Sequence, residues 1–455
     1  MNGKIQPQHF KGKYRTIKNI CSAILLLIYI FASWIPYERG FGMPNQALMI
    51  DLPERKAYIF GIIIWPDELY YLTFTLILAA IGLFICTTLF GRLWCGFTCP
   101  HSTMIDIFIT VERLIQGDRN ARTRLNEMEI NNEKFIKKSL TYAIWLVISF
   151  LFAFGWVGYF YNSRGLLNDL LNFSVKKNGT LWLVALTAST YLFGGFVREK
   201  VCMYMCPYGR FQSGLMDDNT IVVTYHGWRG EPKGKGDGHG DCIDCNRCVI
   251  ACPMGIDIRN GLQMPCIGCG LCIDACDEVM EKLHRSKGLI AYSSAIQTNL
   301  LKENNPISRQ IFTPKVLLYS GVFLLVSFIF IGTLIIKSPL LLKVDKIHSP
   351  LFTITPDGSI RNTYHLNLIN KTITIQENIC LSVAGLEGIL INIQNLAQEF
   401  REQFCFSLKP EEAIESQLFL KLPREKISTN AEYKNIQFIV GDRTTTNGIF
   451  YITNK

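Results

Sequence analysis

Cys242-Ile-Asp-Cys245-Asn-Arg-Cys248-Val-Ile-Ala-Cys252-Pro253 and Cys266-Ile-Gly-Cys269-Gly-Leu-Cys272-Ile-Asp-Ala-Cys276 repeat one cysteine period twice. Such a run lets a tight loop present three thiolates to one face of an iron–sulfur cube, while its fourth cysteine reaches the other cube. By this crossing, Cys242, Cys245, Cys248 and Cys276 would hold one [4Fe–4S] cluster. Cys266, Cys269, Cys272 and Cys252 would hold the second. Zinc sites use paired ligands rather than this run, and a disulfide framework has no reason to repeat its period. Electron transfer is therefore the first implication.

Around this array the chain is unusually apolar. It has 455 residues, 49% of them hydrophobic, a positive mean hydropathy and a net charge of +9. The charge sits beside apolar stretches rather than along one polar face, which points to the inner loops of a membrane protein and away from nucleic acid. Five stretches suit a bilayer, at 20–35, 69–90, 139–160, 181–197 and 316–336. A crossing needs about 20 apolar residues, so the first and fourth read as short. The first follows a basic segment but runs into Trp34-Ile-Pro-Tyr37 with no small-residue cleavage site, so it reads as a retained anchor.

Loop charge gives the orientation. Lys4, Lys11, Lys13, Arg15 and Lys18 precede the first span, and a second basic run from Arg92 to Lys138 follows the second. Lys and Arg favour the cytoplasmic side, so the N-terminus and the array between spans four and five are expected inside. The tail is then expected outside, which in a bacterial multi-pass inner-membrane protein is the periplasm. The expected domains are 1–197, a four-span membrane region; 198–314, a cytoplasmic loop with the two-cluster ferredoxin-type domain; 315–337, the fifth span; and 338–455, a periplasmic immunoglobulin-like domain.

The stretch 230–240 is rich in glycine and has no core-forming residues, so it reads as a flexible linker. It lacks the Gly-Lys-Ser/Thr and strand pattern of a phosphate loop. The tail shows about seven short alternating runs, at 363–368, 373–383, 389–393, 404–408, 418–422, 436–440 and 449–452, as an immunoglobulin-like sandwich requires. Cys380 and Cys405 lie there, either bonded or packed as small core residues. The fold class is thus a multi-domain membrane protein: an α-helical bundle of about five spans, a cytoplasmic ferredoxin-like domain and an all-β C-terminal sandwich.

Two further motifs share one form, Trp94-Cys95-Gly-Phe-Thr-Cys99-Pro100 and Val201-Cys202-Met-Tyr-Met-Cys206-Pro207. Each follows a span that returns to the cytoplasm. Residues four apart share a helix face, and the proline disfavours helix at the cysteine before it, so each motif closes a span or opens the next element. Four thiols paired across two spans make a soft site suited to Cu(I). Met203, Met205 and His101 are further candidates, although the methionines read more readily as packing and His101 as an ordinary boundary residue. Cys21 and Cys86, alone in apolar stretches, read as packing.

These stretches resemble the cytochrome c oxidase accessory protein family CcoG, also called FixG or RdxA, over nearly the whole length. The resemblance rests on Ile50-Asp-Leu-Pro-Glu-Arg-Lys56, Gly91-Arg-Leu-Trp-Cys-Gly-Phe-Thr-Cys-Pro100 and Cys202-Met-Tyr-Met-Cys-Pro-Tyr-Gly-Arg-Phe-Gln212. It extends through Arg229-Gly-Glu-Pro232, the array with Gly255-Ile-Asp-Ile-Arg259, and Asp357-Gly-Ser-Ile-Arg-Asn362. His101-Ser-Thr-Met104 and Ala291 depart from the usual family pattern. The resemblance implies an oxidoreductase that reduces Cu(II) to Cu(I) during assembly of a cbb3-type oxidase. Cys95, Cys99, Cys202 and Cys206 would handle copper as substrate, and the eight array cysteines would bind the clusters. The implied partners are the oxidase assembly machinery, a copper transporter or chaperone, and a cytoplasmic electron donor; a homo-oligomer is left open.

Two other readings compete. A quinol-linked carrier would pass electrons outward, but the clusters are expected inside and no multihaem motif is present. A non-catalytic assembly scaffold would use its clusters only to hold the fold.

Overall fold

The computed structural model describes residues 5–40, 43–236, 238–303, 312–394, 396, 399–426, 432–441 and 444–452. Lys4 and Asp237, used in the readings above, lie outside them. Contacts divide the chain into two units: Met1–Ile35, Leu48–Ile50 and Leu69–Phe330 form the first, and Pro36–Ala47, Asp51–Glu68 and Ile331–Lys455 the second.

Among the described residues, five helices have the length and apolar composition to cross a membrane: Lys13–Trp34, Pro66–Phe90, Asn132–Tyr161, Lys177–Val197 and Pro314–Ile335. The first is longer than its apolar stretch because its basic opening turns are docked rather than solvated. Lys18 is buried and pairs with Asp106 at 2.8 Å. The backbone N–H groups of Tyr14 and Arg15 donate to the Asp274 carboxylate at 3.1 and 2.7 Å. The first turn of a helix leaves such donors unsatisfied, and a carboxylate there also suits the helix dipole. A residue of the second cysteine run thus caps a membrane helix.

The third and fourth spans pack through Ala153, Val157 and Leu183. Trp145 of the third stacks on Phe108 with ring centroids 5.2 Å apart, and its indole N–H donates to the Phe108 carbonyl at 3.2 Å. Phe108 belongs to the helix Pro100–Gln116, which buries Glu112 between Arg198 at 2.7 Å and Arg122 at 3.4 Å.

The array domain is built on a two-stranded antiparallel sheet, Val222–Tyr225 with Ile290–Ser293, and on the helices Arg247–Ala251 and Leu271–Lys282. The glycine-rich stretch is folded where described, which corrects its reading as a free linker. Gly240 N–H donates to the Pro232 carbonyl at 2.9 Å, and Gly234 N–H to the Cys242 carbonyl at 2.9 Å. A Cβ on Gly240 would lie 2.5 Å from the Gly230 carbonyl carbon, so this glycine permits close backbone approach rather than mobility.

The second unit contains the immunoglobulin-like sandwich. One sheet runs Leu390–Ile393, Ala413–Leu422, Ile360–Asn370, Leu340–Lys346, with Thr353–Ile354 also on Ile360–Asn370. The other runs Gln403–Leu408, Gln376–Ala384, Tyr433–Val440, Thr444–Tyr451. Their inner faces bury Leu366, Leu368, Leu381, Leu418, Leu420 and Phe438. Cys380 and Cys405 are cross-strand partners and form a disulfide. Residues 36–47 and 51–68, read from sequence as part of the membrane region, belong to this unit. Glu68 is buried there between Lys337 at 2.8 Å and Lys371 at 3.1 Å.

Candidate metal centres

The eight array cysteines line two adjoining cavities. Cys242, Cys245, Cys248 and Cys276 line one, with Tyr225, Arg259 and Leu289. Cys252, Cys266, Cys269 and Cys272 line the other, with Met254, Ile256 and Ile267; Cys248 touches both. The fourth cysteine of each run therefore sits with the first three of the other: Cys252 follows the short helix Arg247–Ala251, and Cys276 lies one turn past Cys272 within Leu271–Lys282. Asn246 and Gly270 open those helices in the left-handed conformation.

Burial pushes these thiols up: Cys248 and Cys252 to about 11, Cys266 and Cys276 to about 12, and Cys272 well above the ordinary value. Thiols buried among apolar groups gain their charge only when a metal takes the proton's place. Among the described residues no three His, Cys, Asp or Glu side chains are grouped as ligands of a single ion. Two sets of four soft donors in apolar cavities fit iron–sulfur cubes.

The two Cys-x-x-x-Cys-Pro motifs fold alike. Cys95 lies in the short helix Leu93–Phe97, and Cys202 in the π-helical turn Val201–Met205. Each second cysteine has extended backbone and precedes a helix that opens on proline, Pro100–Gln116 or Pro207–Leu215. Proline is suited to that first position because its missing N–H would have no partner there. The backbone N–H of Cys99 donates to the Trp94 carbonyl at 2.9 Å, and that of Cys206 to the Val201 carbonyl at 2.8 Å. In both motifs one wide turn thus joins the second cysteine to the residue before the first. The two cysteines of a motif do not share one helix, because the proline forces a break between them.

These motifs lie against the second array cavity. Cys95, Cys202 and Met203 pack with Met254, Ile256, Cys266, Ile267, Cys269 and Leu271. A Cβ on Gly96 would stand 2.9 Å from Cys269 Cα and from the carbonyl oxygens of Ile267 and Gly268. Only a glycine lets the two backbones meet this closely. Arg92 joins the three segments by donating to the carbonyls of Met264, Cys266 and Gly209. The four thiols also feel one another. Burial, then Cys99, pushes Cys95 up to about 11; burial, then Cys99 and Cys95, pushes Cys202 up to about 12.

Gln212 is fully buried, and its Oε1 accepts from the Cys95 thiol at 3.5 Å. His101 donates from Nε2 to the Arg198 carbonyl at 3.1 Å, so that nitrogen is committed to the backbone. Met205 is exposed. Sequence reasoning did not single out Arg92, Gly96 or Gln212 for a role. All three stand inside the motif stretches that carried the resemblance, and that position was the available signal.

Comparison with known proteins agrees with this architecture. Residues 197–295 match a family model described as a 4Fe-4S dicluster domain, and residues 72–116 one described as a 4Fe-4S binding domain. Residues 330–451 match the IG-like fold at the C-terminal of FixG. Protein RdxA of Cereibacter sphaeroides is 42% identical over 86% of this chain and 85% of its own. Nitrogen fixation protein FixG of Rhizobium meliloti is 36% identical over 94% of this chain and 88% of its own. Protein RdxB of Cereibacter sphaeroides is 40% identical over 85% of each chain. With its apolar helices, dicluster domain and immunoglobulin-like tail, the chain belongs to the FixG/RdxA family of 4Fe–4S electron-transfer proteins.

Proposed function

We propose that the chain is a membrane-bound cupric reductase, delivering Cu(I) for assembly of a cbb3-type cytochrome c oxidase. The observation that supports this is the packing of Cys95 and Cys202 against the Cys266–Cys269 loop, with the Gly96 backbone on that of Cys269. In this reading Cys242, Cys245, Cys248 and Cys276 hold one [4Fe–4S] cluster, and Cys252, Cys266, Cys269 and Cys272 the other. When bound, these clusters supply single electrons. Cys95, Cys99, Cys202 and Cys206 receive the copper substrate, which needs one electron per ion.

The chemistry of the four boundary cysteines suits that substrate. Thiolates prefer Cu(I) to harder ions, so holding copper here favours its reduced state. Burial keeps Cys95 and Cys202 protonated near neutral pH, so each must release a proton to bind metal. The basic loops support an arrangement with both motifs and the array on the cytoplasmic side and the tail in the periplasm. Handover would then be to a copper transporter or chaperone.

The test is anaerobic. Cluster-loaded protein, reduced and freed of excess reductant, is given Cu(II) and a Cu(I)-specific chelator. Wild type is expected to form the chelate, and Cys95→Ser with Cys202→Ser to lose most of the rate and the bound copper while keeping its iron. An unchanged rate in the double variant would sink the proposal. A second reading is favoured by the match of residues 72–116, which include Cys95 and Cys99, to a 4Fe–4S binding domain. In it the boundary four hold a third cluster, and about twelve rather than about eight irons per chain would decide for it.

A further inference from the structure

A cavity of about 350 Å3 opens beside the second array cavity and is used by nothing described above. Phe90, Met216, Val222, Leu262 and Met264 give it apolar walls, and the Cys266 residue forms part of its lining. Phe90 is the last residue of the apolar helix Tyr70–Phe90, which places the cavity where the second span ends. Its rim is apolar too, for Phe90, Leu262 and Met264 are 42%, 49% and 53% exposed. Ligand cavities of this size are commonly apolar with a few placed polar groups.

The polar lining narrows the ligand. Arg92 is the one charged side chain among the described lining residues, and it is already engaged by the carbonyls of Met264, Cys266 and Gly209. A nucleotide or flavin phosphate would therefore find no free cation. Tyr292 donates to the Gly268 carbonyl at 2.5 Å. Gln263 donates through Nε2 to the Asp257 carbonyl at 2.6 Å, which fixes the amide in the lining, and no donor among the described residues bonds its Oε1. An uncharged, membrane-soluble ring bearing hydroxyl groups matches these walls.

We propose that this cavity binds a quinol and that the chain draws its electrons from the membrane rather than from a cytoplasmic donor. The proposal rests on the electron-transfer reading above and names its donor. The quinol is oxidised to the quinone, losing two electrons and two protons. Two one-electron acceptors balance it, one for each loaded array cavity, and the protons leave to water at the rim. The ring would lie beside Cys266, a ligand in the proposed second set.

The test uses the full chain in detergent, as purified, and an azido-substituted short-chain naphthoquinone as photolabel. Labelling is expected in the wall segments around Met216, Val222 and 262–264, and Leu262→Trp, which fills the cavity, should weaken it by about tenfold or more. Menadiol should bleach the iron–sulfur absorption of wild type but not of Leu262→Trp, whereas dithionite bleaches both. Labelling elsewhere, or label and bleaching unchanged by the variant, would overturn the proposal. Met264→Trp, at an exposed position, serves the same test if Leu262→Trp loses its iron. Copper is absent from these measurements, and the chelator assay with dithionite needs no quinone, so the two readings fail separately.

Discussion

Gly96 is the residue at which the boundary motif meets the array. Its missing side chain lets two backbones touch, and an added methyl would overlap the Cys269 backbone at 2.9 Å. Such overpacking typically costs about 1–3 kcal/mol and is relieved by shifting one segment away from the other. Gly96→Ala is therefore expected to keep its iron content but reduce copper more slowly than wild type, measured as the initial rate of chelate formation per loaded protein. An unchanged rate would show that this contact does not set the transfer path. At the same scale, the cysteines were legible from sequence because their spacing carries the chemistry. Arg92, Gly96 and Gln212 were not, because a carbonyl clamp, a close approach and a buried amide have no period of their own.

Among elements, the array loops carry a pH signature. Buried Cys248, Cys252, Cys266 and Cys276 have folded values of about 11 to 12, above the unfolded thiol value of about 8.5. The folded, metal-free chain holds these protons more tightly than the unfolded one. That contribution to stability is complete below about pH 8.5 and is lost as pH rises toward 11 to 12. Denaturant midpoints of the metal-stripped protein should fall between about pH 8 and pH 10, while the loaded protein, whose ligands are already deprotonated, should not show this fall.

The strands show where element reading stops. The seven expected runs all appear as strands, but Leu340–Lys346 and Thr353–Ile354 were not anticipated. The apolar residues Leu340, Leu341 and Leu342 follow closely on the fifth span, so composition alone cannot divide membrane helix from first strand. The first span read short for the opposite reason, since its charged opening turns hide a helix whose partners are remote in sequence.

On the scale of the whole molecule, membership of the two units does not follow chain order. The opening turn of the second span contributes Glu68 to the unit that holds the tail, where it is buried with Lys337 and Lys371. Breaking a buried ion pair from one side typically costs about 3–5 kcal/mol, because the remaining charge stays desolvated. Glu68→Gln should therefore lower the thermal unfolding midpoint of the tail unit and speed its proteolysis, with iron content unchanged. A wild-type melting curve would show that this cluster is not what fastens that turn. Nothing in the sequence pairs Glu68 with Lys371, since the residues are far apart and neither belongs to a motif.

The Asp274 cap has a consequence for damaged protein. Its carboxylate is held in the second cysteine run and satisfies the opening N–H groups of the first membrane helix. If oxygen strips the iron and that run loosens, the anchor loses its cap in the same event. Asp274→Ala should mimic this, costing about 1 kcal/mol at the helix start and making 5–15 cleavable by protease in iron-replete protein. A chain that has lost its redox centres would thus expose its own N-terminal segment, and cellular proteases could sort spent copies from working ones by that end alone.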